Sequence, residues 1–127
     1  MGKIINVIDT AYRATLEEQD DTSLWFTRAC KNAGADMDIL LTGNAVNYVV
    51  RNQNPHALYL GKGAIPHPSK FQDDLSDFIK SGGRLYFLNN DLEERGIESK
   101  EIIEGAQALD RTKMASFLDT YENIWHW

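Results

Sequence analysis

A mostly apolar run near the N-terminus constrains the fold of this chain more than any other feature. Residues 3–8 (Lys-Ile-Ile-Asn-Val-Ile) are mostly β-branched and apolar, without the polar alternation of a half-exposed strand. Strands that are apolar on both faces are typical of parallel sheets, because helices cover both sides of such sheets. The run therefore predicts a first strand that is buried on both faces.

Segments of strand and helix character alternate along the rest of the chain. Further strands are predicted at residues 37–42, 57–60, 84–88 and 124–127, and residues 106–109 are either a short strand or a loop. Apolar residues recur at helical spacing between them, and glycines such as Gly34 and Gly105 end the predicted helices. Alternation of this kind implies right-handed βαβ crossovers. We therefore expect one α/β domain over residues 1–127, a three-layer sandwich with a mostly parallel sheet of about five strands and helices on both faces, related to flavodoxin-like folds.

Composition and charge exclude several classes of function. Hydrophobic residues make up 43% of the chain and the formal net charge is −6, so the sequence lacks the basic surface of a nucleic-acid-binding protein. The apolar runs are too short to span a membrane, and the N-terminus has no signal-peptide pattern. A cytoplasmic protein without a membrane or nucleic-acid partner is expected. The single cysteine, Cys30, excludes an internal disulfide and a cysteine metal cluster, and we expect no metal or cofactor.

The predicted sheet also indicates where a ligand would bind. Open α/β sheets hold ligands beyond the carboxyl ends of their strands, near the point where the strand order switches. Four segments follow predicted strands at that edge, namely Asp9-Thr10, Gly43-Asn44, Gly61-Lys62-Gly63 and Asn89-Asn90-Asp91. This placement follows from the fold class alone. Asp9 lacks the acidic neighbours of a magnesium site, and Gly61-Lys62-Gly63 lacks the spacing of a phosphate-binding loop.

The segment Leu88-Asn89-Asn90-Asp91-Leu92-Glu93-Glu94-Arg95-Gly96-Ile97 resembles the DsrE/DsrF/TusD family of sulfur-relay proteins. In that family a strand leads into a cysteine loop and a short polar turn that ends in Arg-Gly and Ile or Val. Gly43-Asn44-Ala45-Val46 is similar to the family's Gly-x-Ala-Val turn, and a terminal helix leads to a strand ending in Trp127. The resemblance implies a homo-oligomer (dimer, trimer or hexamer) and a possible sulfur-relay or redox protein partner.

One departure from the family matters for function. Counting back from Arg95 places Leu88 where the family carries its persulfide cysteine. A leucine cannot be a nucleophile, and the amides of Asn89 and Asn90 cannot carry sulfur. The resemblance therefore implies a non-catalytic protein that binds a small molecule or a relay partner at the carboxyl-end loops. The candidate ligand-binding residues are Asp9, Gly43, Asn44, Leu88, Asn89, Asn90 and Asp91.

Three alternative functions stay open. A sulfurtransferase could use Cys30, although its place on a helical stripe with Phe26, Ala29 and Ala33 favours core packing. Another enzyme could use His67, which follows the third predicted strand, together with Asp9. A purely structural assembly subunit is the third possibility.

Arg95 and the last predicted strand each have a structural and a functional interpretation. Arg95 lies four residues after Asp91, so the two side chains can pair on a helix; a ligand contact is the alternative. Trp125 and Trp127 fall on one face of the last strand and His126 on the other. That strand could be a sheet edge covered by another subunit, or its tryptophans could simply pack in the core.

Overall fold

The computed structural model describes residues 2–12, 22–53, 58–65 and 70–127, and these contain a five-stranded parallel sheet with helices on both faces. The strands are β1 (Ile4–Ile8), β2 (Met37–Leu41), β3 (Leu58–Leu60), β4 (Gly63–Ile65), β5 (Leu85–Leu88), β6 (Ala106–Leu109) and β7 (Asn123–His126). The α-helices are α1 (Thr22–Asn32), α2 (Phe71–Lys80), α3 (Asn89–Glu94) and α4 (Met114–Leu118). Short 3-10 helices span Gly43–Val49, Ser99–Glu101 and Arg111–Lys113.

The strand order of the sheet is β6-β5-β2-β1-β7. Every residue of β1 and β2 is buried, which confirms the prediction drawn from the first apolar run. Apolar side chains on both faces keep water away from these strands, so the interior of the sheet needs a helical layer on each side. The α/β class, the parallel sheet and its strand number agree with the sequence prediction.

Each face of the sheet has its own apolar core. On one face, Ile8, Ile39 and Leu41 pack with side chains of α1, α2, α3 and the 3-10 helix Gly43–Val49. On the other face, Val7 and Leu88 belong to a smaller cluster that Tyr121 and the residues of α4 cover. The second layer consists of one five-residue helix and the turn after it, so it covers less of its face than the first.

The third predicted strand does not join this sheet, which corrects one sequence prediction. Leu58–Leu60 instead pairs antiparallel with Gly63–Ile65 in a separate two-stranded hairpin. Gly61 has a φ of 61°, a left-handed conformation that glycine adopts without strain and that closes the hairpin turn. The segment Gly61-Lys62-Gly63 is therefore a hairpin turn and does not follow a strand of the main sheet.

The predicted buried stripe of the first helix is also wrong. Ala29 and Ala33 are exposed, and Cys30 is half-buried. The buried side of α1 carries Leu24 and Thr27, because the Thr27 hydroxyl accepts a 2.5 Å hydrogen bond from the buried amide of Asn6 in β1. A polar contact of this kind fixes the rotation of a helix against a sheet, and apolar periodicity does not detect it.

Several other segments differ from their predicted form. Asn89-Asn90-Asp91, expected as a loop, is the first turn of α3, where the acidic Asp91 suits the positive end of the helix. The segments Gly43–Val49 and Ser99–Glu101 form 3-10 helices. Short segments pinned by tertiary contacts take the tighter 3-10 form readily. No helix within the described ranges has the length and apolar character needed to cross a membrane.

A buried carboxylate ties the C-terminal turn to β2. Asp38 is 2% exposed, and its two carboxylate oxygens accept hydrogen bonds from the Tyr121 hydroxyl (2.6 Å) and the Arg84 backbone N–H (3.0 Å). The Lys3 ammonium lies 3.6 Å from the same carboxylate and above the Tyr121 ring. Burial, and then the hydrogen bond to Asp38, raise the pKa of Tyr121 well above its ordinary value.

We expect Tyr121→Phe to lower the free energy of unfolding by about 2 kcal/mol at neutral pH, because Asp38 loses a buried partner. Since the pKa of Tyr121 is raised in the folded state, its contribution is complete below pH 10 and decreases as pH rises above that value. Urea unfolding across this range measures both effects. The exposed Tyr59→Phe is the control, and an equal loss in the two variants would contradict the assignment.

Candidate functional site

A pocket of about 320 Å³ opens at the carboxyl edge of the sheet. Its walls come from the ends of β1, β2 and β5, from α4 and from the edge strand β7. The lining residues are Val7, Asp9, Thr42, Leu88, Met114, Leu118, Ile124 and His126. The pocket lies on the face that carries the smaller apolar core, beside the short helix α4.

Leu88 forms part of the apolar wall of this pocket. It is the last residue of β5, it is 3% exposed, and it packs in the cluster that includes Val7. Parallel strands alternate their side chains between the two faces, so Leu88 and Val7 point to the same side as α4. The position that the sequence resemblance assigns to a cysteine is therefore an aliphatic surface of the pocket.

Acidic and imidazole side chains meet at the rim of the pocket. Oδ2 of Asp9 lies 3.5 Å from Nε2 of His126, and both side chains are at least half exposed. Val7 and His126 are paired residues of β1 and β7, which brings Asp9, two residues further along β1, next to the imidazole. The rim can therefore offer a carboxylate acceptor and an imidazole donor to a polar group on a ligand.

The carboxylate of Asp91 joins the segments that follow three strands. Its Oδ2 accepts a 2.7 Å hydrogen bond from the Gly43 backbone N–H after β2, and its Oδ1 accepts a 2.5 Å bond from Arg111 after β6. Asp91 itself lies in α3, directly after β5, and is 7% exposed. Gly43 has a φ of 52°, which favours glycine and orients its N–H toward the carboxylate. Asp91 thus acts as a brace behind the pocket.

Arg95 does not pair with the side chain of Asp91, which corrects the predicted contact. Its guanidinium donates instead to the backbone carbonyl of Asp91 (3.0 Å) and to Oδ1 of Asn44 (2.9 Å). The Asp91 carboxylate is already occupied by Gly43 and Arg111. Arg95 therefore links the start of the 3-10 helix Gly43–Val49 to the end of α3.

The structure divides the predicted site residues into two groups. Asp9 and Leu88 line the pocket. Gly43, Asn44, Asn90 and Asp91 bond to neighbouring segments, with Asn90 accepting from the Arg111 backbone N–H, and Asn89 bonds to Glu93. Cys30 lies in the last turns of α1, close to the start of β2 and so at the amino edge of the sheet. His67 is outside the described residues.

Sequence reasoning missed much of the pocket wall. Met114, Leu118 and Ile124 line the pocket, and none of them is among the site residues predicted from the sequence. The alternation along β7 did carry a usable signal, because Ile124 and His126 must share one face of the strand. Among the described residues, no group of three or more His, Cys, Asp or Glu side chains is arranged to hold a metal ion.

A second depression, of about 380 Å³, is lined by Val50, Arg51, Asn52, Lys100 and Glu101. It contains none of the residues predicted for the site. Its Lys100 is already paired with Glu98 at 3.0 Å, and that ion pair is largely exposed. The depression therefore lacks the buried apolar wall that distinguishes the pocket at Leu88.

We expect Asp91→Asn to lower the free energy of unfolding by about 2 kcal/mol, because an amide cannot accept from both Gly43 and Arg111 as the carboxylate does. Glu94→Gln is the matched control: Glu94 lies 4.0 Å from the same Arg111 but is exposed, so its loss should cost less than about 0.5 kcal/mol. Urea unfolding at neutral pH gives both values. Equal effects of the two substitutions would show that Asp91 is not a brace.

Comparison with known proteins gives matches at the level of structure. No protein-family model matches the sequence, and no curated protein matches it. The crystal structure of the ychN protein from E. coli superposes with a TM-score of 0.77 over 100% of both chains, at 19% sequence identity.

Two proteins of unknown function have similar structures. MTH1491 from Methanobacterium thermoautotrophicum gives a TM-score of 0.60 at 17% identity, over 93% of this chain and 91% of its own. BT1422 from Bacteroides thetaiotaomicron gives 0.68 at 15% identity, over 98% and 95%. At these identities the likeness establishes the fold, and this chain has the α/β fold of the ychN protein over its whole length.

Proposed function

We propose that this chain is a non-catalytic DsrE/DsrF-like protein that binds a small molecule in the pocket beside Leu88. The observation that carries the proposal is the pocket itself, which lies at the carboxyl edge of the parallel sheet and has an aliphatic side chain where the resemblance expects a thiol. Its volume is near the lower end of the range for small-molecule sites, roughly 300–1,000 Å³. The fold shared with the ychN protein supports the resemblance.

The lining indicates the chemistry of the ligand. Five of the eight lining side chains are apolar, and the other three, Asp9, Thr42 and His126, are polar. Such a pocket favours a compact molecule with an apolar body and one polar group directed to the rim. Burying the body provides most of the free energy of binding, while the rim orients the molecule.

The position of the only cysteine argues against sulfur transfer at this pocket. Cys30 lies near the end of α1, and its carbonyl accepts from the Ala35 backbone N–H just before β2 begins. The pocket lies beyond the opposite end of β2, at Thr42. A thiol at the amino edge cannot attack a molecule held at the carboxyl edge, so the Cys30 sulfurtransferase is the weaker candidate.

The proposal also covers the domain organisation, the cellular location, the assembly and the partners of the chain. The chain forms one domain, is cytoplasmic and assembles as a homo-oligomer, and a sulfur-relay or redox protein is a further possible partner. The resemblance to the DsrE/DsrF family supports the assembly and the partner. The acidic composition, with a net charge of −6, supports the expectation that no nucleic acid is bound.

Filling the pocket should abolish binding of an apolar probe. We expect native protein to bind the dye 1-anilinonaphthalene-8-sulfonate, and Met114→Trp to weaken that binding about tenfold or more, because the larger ring occupies the cavity. Ala115→Trp is the matched control, since Ala115 is the next residue of α4 and is exposed. Fluorescence titration measures both, and circular dichroism verifies folding. No dye binding to native protein, or equal weakening by the two variants, would overturn the proposal.

A thiol introduced at the predicted cysteine position should report on the same pocket. In a Cys30→Ser background, we expect Leu88→Cys to react with iodoacetamide, and saturating dye to slow that reaction, because position 88 lines the binding cavity. Cys30 of the native protein is the control, since the dye should leave its rate unchanged. Mass spectrometry gives the rates. Equal protection of the two thiols would show that the dye does not bind beside position 88.

A further inference from the structure

The strand β7 forms one edge of the main sheet and uses half of its backbone groups to bond β1. Asn123 and Trp127 donate their N–H groups to the Lys3 and Val7 carbonyls. The backbone groups of the odd-numbered residues of Asn123–Trp127 therefore point toward β1. Backbone groups alternate along a strand, and therefore both the N–H and the carbonyl of Ile124 and His126 point away from β1. The described part of the chain contains no strand beyond β7.

This edge lacks the features that usually prevent pairing with another strand. The segment Asn123–Trp127 contains no lysine, proline or acidic residue, and its pairing with β1 has no bulge. Ile124 is 52% exposed and Trp127 is 42% exposed, so apolar surface accompanies the outward backbone groups. The same strand supplies Ile124 and His126 to the pocket, which places the unprotected edge next to the proposed binding site.

We propose that β7 pairs antiparallel with β7 of a second copy of this chain, and that the second copy completes the wall of the pocket. This inference rests on the proposed function for the identity of the site and adds its partner. The two five-stranded sheets would join into one ten-stranded sheet around a two-fold axis. An exposed apolar edge would then be replaced by an interface of the self-complementary kind that two-fold dimers use.

The outward groups determine the register of this pairing. A two-fold axis through Trp125 places Ile124 of each copy opposite His126 of the other, so all outward N–H and carbonyl groups become bonded. Each of the two Ile124–His126 pairs exchanges two hydrogen bonds. The two Trp125 rings meet on the face of the sheet that α1 covers, where each ring already stacks on Phe26 of its own chain. Cross-strand aromatic pairs stabilise a sheet.

The side chains of two β7 strands are compatible with each other in this register, both in charge and in the direction in which they point. His126 faces an isoleucine across the axis, and Asp9 of its own chain lies 3.5 Å away, so no like charges stand directly opposite each other. Ile124 and His126 of both copies point to the pocket side, and directly opposite side chains lie about 5 Å apart. Each pocket therefore gains an isoleucine and an imidazole from its neighbour.

The opposite edge of the sheet, β6, is less suited to this role. Its exposed side chains are Gln107 and Ala108, which offer little apolar surface, and neither lines the pocket. Acidic residues border this strand on both sides, at Glu104 and Asp110. Antiparallel self-pairing there would bring like charges together at both ends. The β6 edge therefore provides a matched position for controls.

Sedimentation velocity of the full chain tests the assembly. We expect native protein to sediment as a dimer or a multiple of it at micromolar concentration, and Ile124→Lys to raise the dissociation constant about tenfold or more, since it replaces an apolar side chain at the interface with an ammonium that pairing would desolvate. Ala108→Lys adds the same charge to β6 and should leave assembly unchanged. A monomeric native protein, or equal weakening by the two substitutions, would overturn the inference.

Disulfide cross-linking tests the register independently of any loss of stability. In a Cys30→Ser background, Trp125→Cys places two thiols across the two-fold axis, so mild oxidation should yield covalent dimers. Asn123→Cys should cross-link only when mixed with Trp127→Cys, because the register places these positions opposite each other. Ala108→Cys should not cross-link. Rapid cross-linking of Ala108→Cys, or none of Trp125→Cys, would refute this pairing.

Dye titration separates the failure of this inference from the failure of the proposed function. We expect the oxidised Trp125→Cys dimer to bind 1-anilinonaphthalene-8-sulfonate more tightly than the same variant after reduction and dilution to monomer. Equal binding by both forms would overturn completion of the pocket while the proposed function stands. A cross-linked dimer without dye binding would overturn the proposed function and leave only the interface.

Discussion

The carboxylate of Asp91 determines how the segments at the carboxyl edge of the sheet are held together. It accepts from Gly43 after β2 and from Arg111 after β6, and it lies directly after β5. A charged acceptor with two short bonds is stronger than neutral hydrogen bonds between loops. Because these bonds hold three neighbouring strand ends, the pocket beside them can stay open without collapsing onto the short helix α4.

The strands of the sheet were predictable because burial on both faces leaves a direct trace in the sequence. The run at Ile4–Ile8 is apolar except for Asn6, and the structure buries all of it. The hairpin at Leu58–Leu60 was not predictable in the same way, since a three-residue apolar strand has the same pattern whether it joins the main sheet or pairs locally. The side of α1 that faces the sheet depends on the Asn6–Thr27 hydrogen bond, which apolar periodicity cannot reveal.

The candidate site was predictable only to the level of the edge at which it lies. The fold rule pointed to Asp9 and the family resemblance to Leu88, and both line the pocket. The fold rule also pointed to Asn89, which bonds to Glu93 within α3, and to Asn90 and Asp91, which bond to Arg111 after β6. The sequence alone does not distinguish a polar loop residue that binds a ligand from one that bonds to other parts of the chain. The wall from α4 and β7 comes from segments far along the chain, and only tertiary packing brings it to the site.

Leucine at position 88 gives the carboxyl edge of the sheet an apolar surface where a cysteine would give it a reactive thiol. A thiolate there needs solvent access and a polar surrounding to keep its charge, whereas an aliphatic side chain gains free energy as water is excluded. An apolar wall thus favours closure of the pocket. The described residues leave that pocket open beside β7, whose outward backbone groups bond to no other strand of the described chain. The proposed second copy of β7 would cover the pocket and pair the edge strand through one contact, so Leu88 and the exposed edge strand would belong to one site.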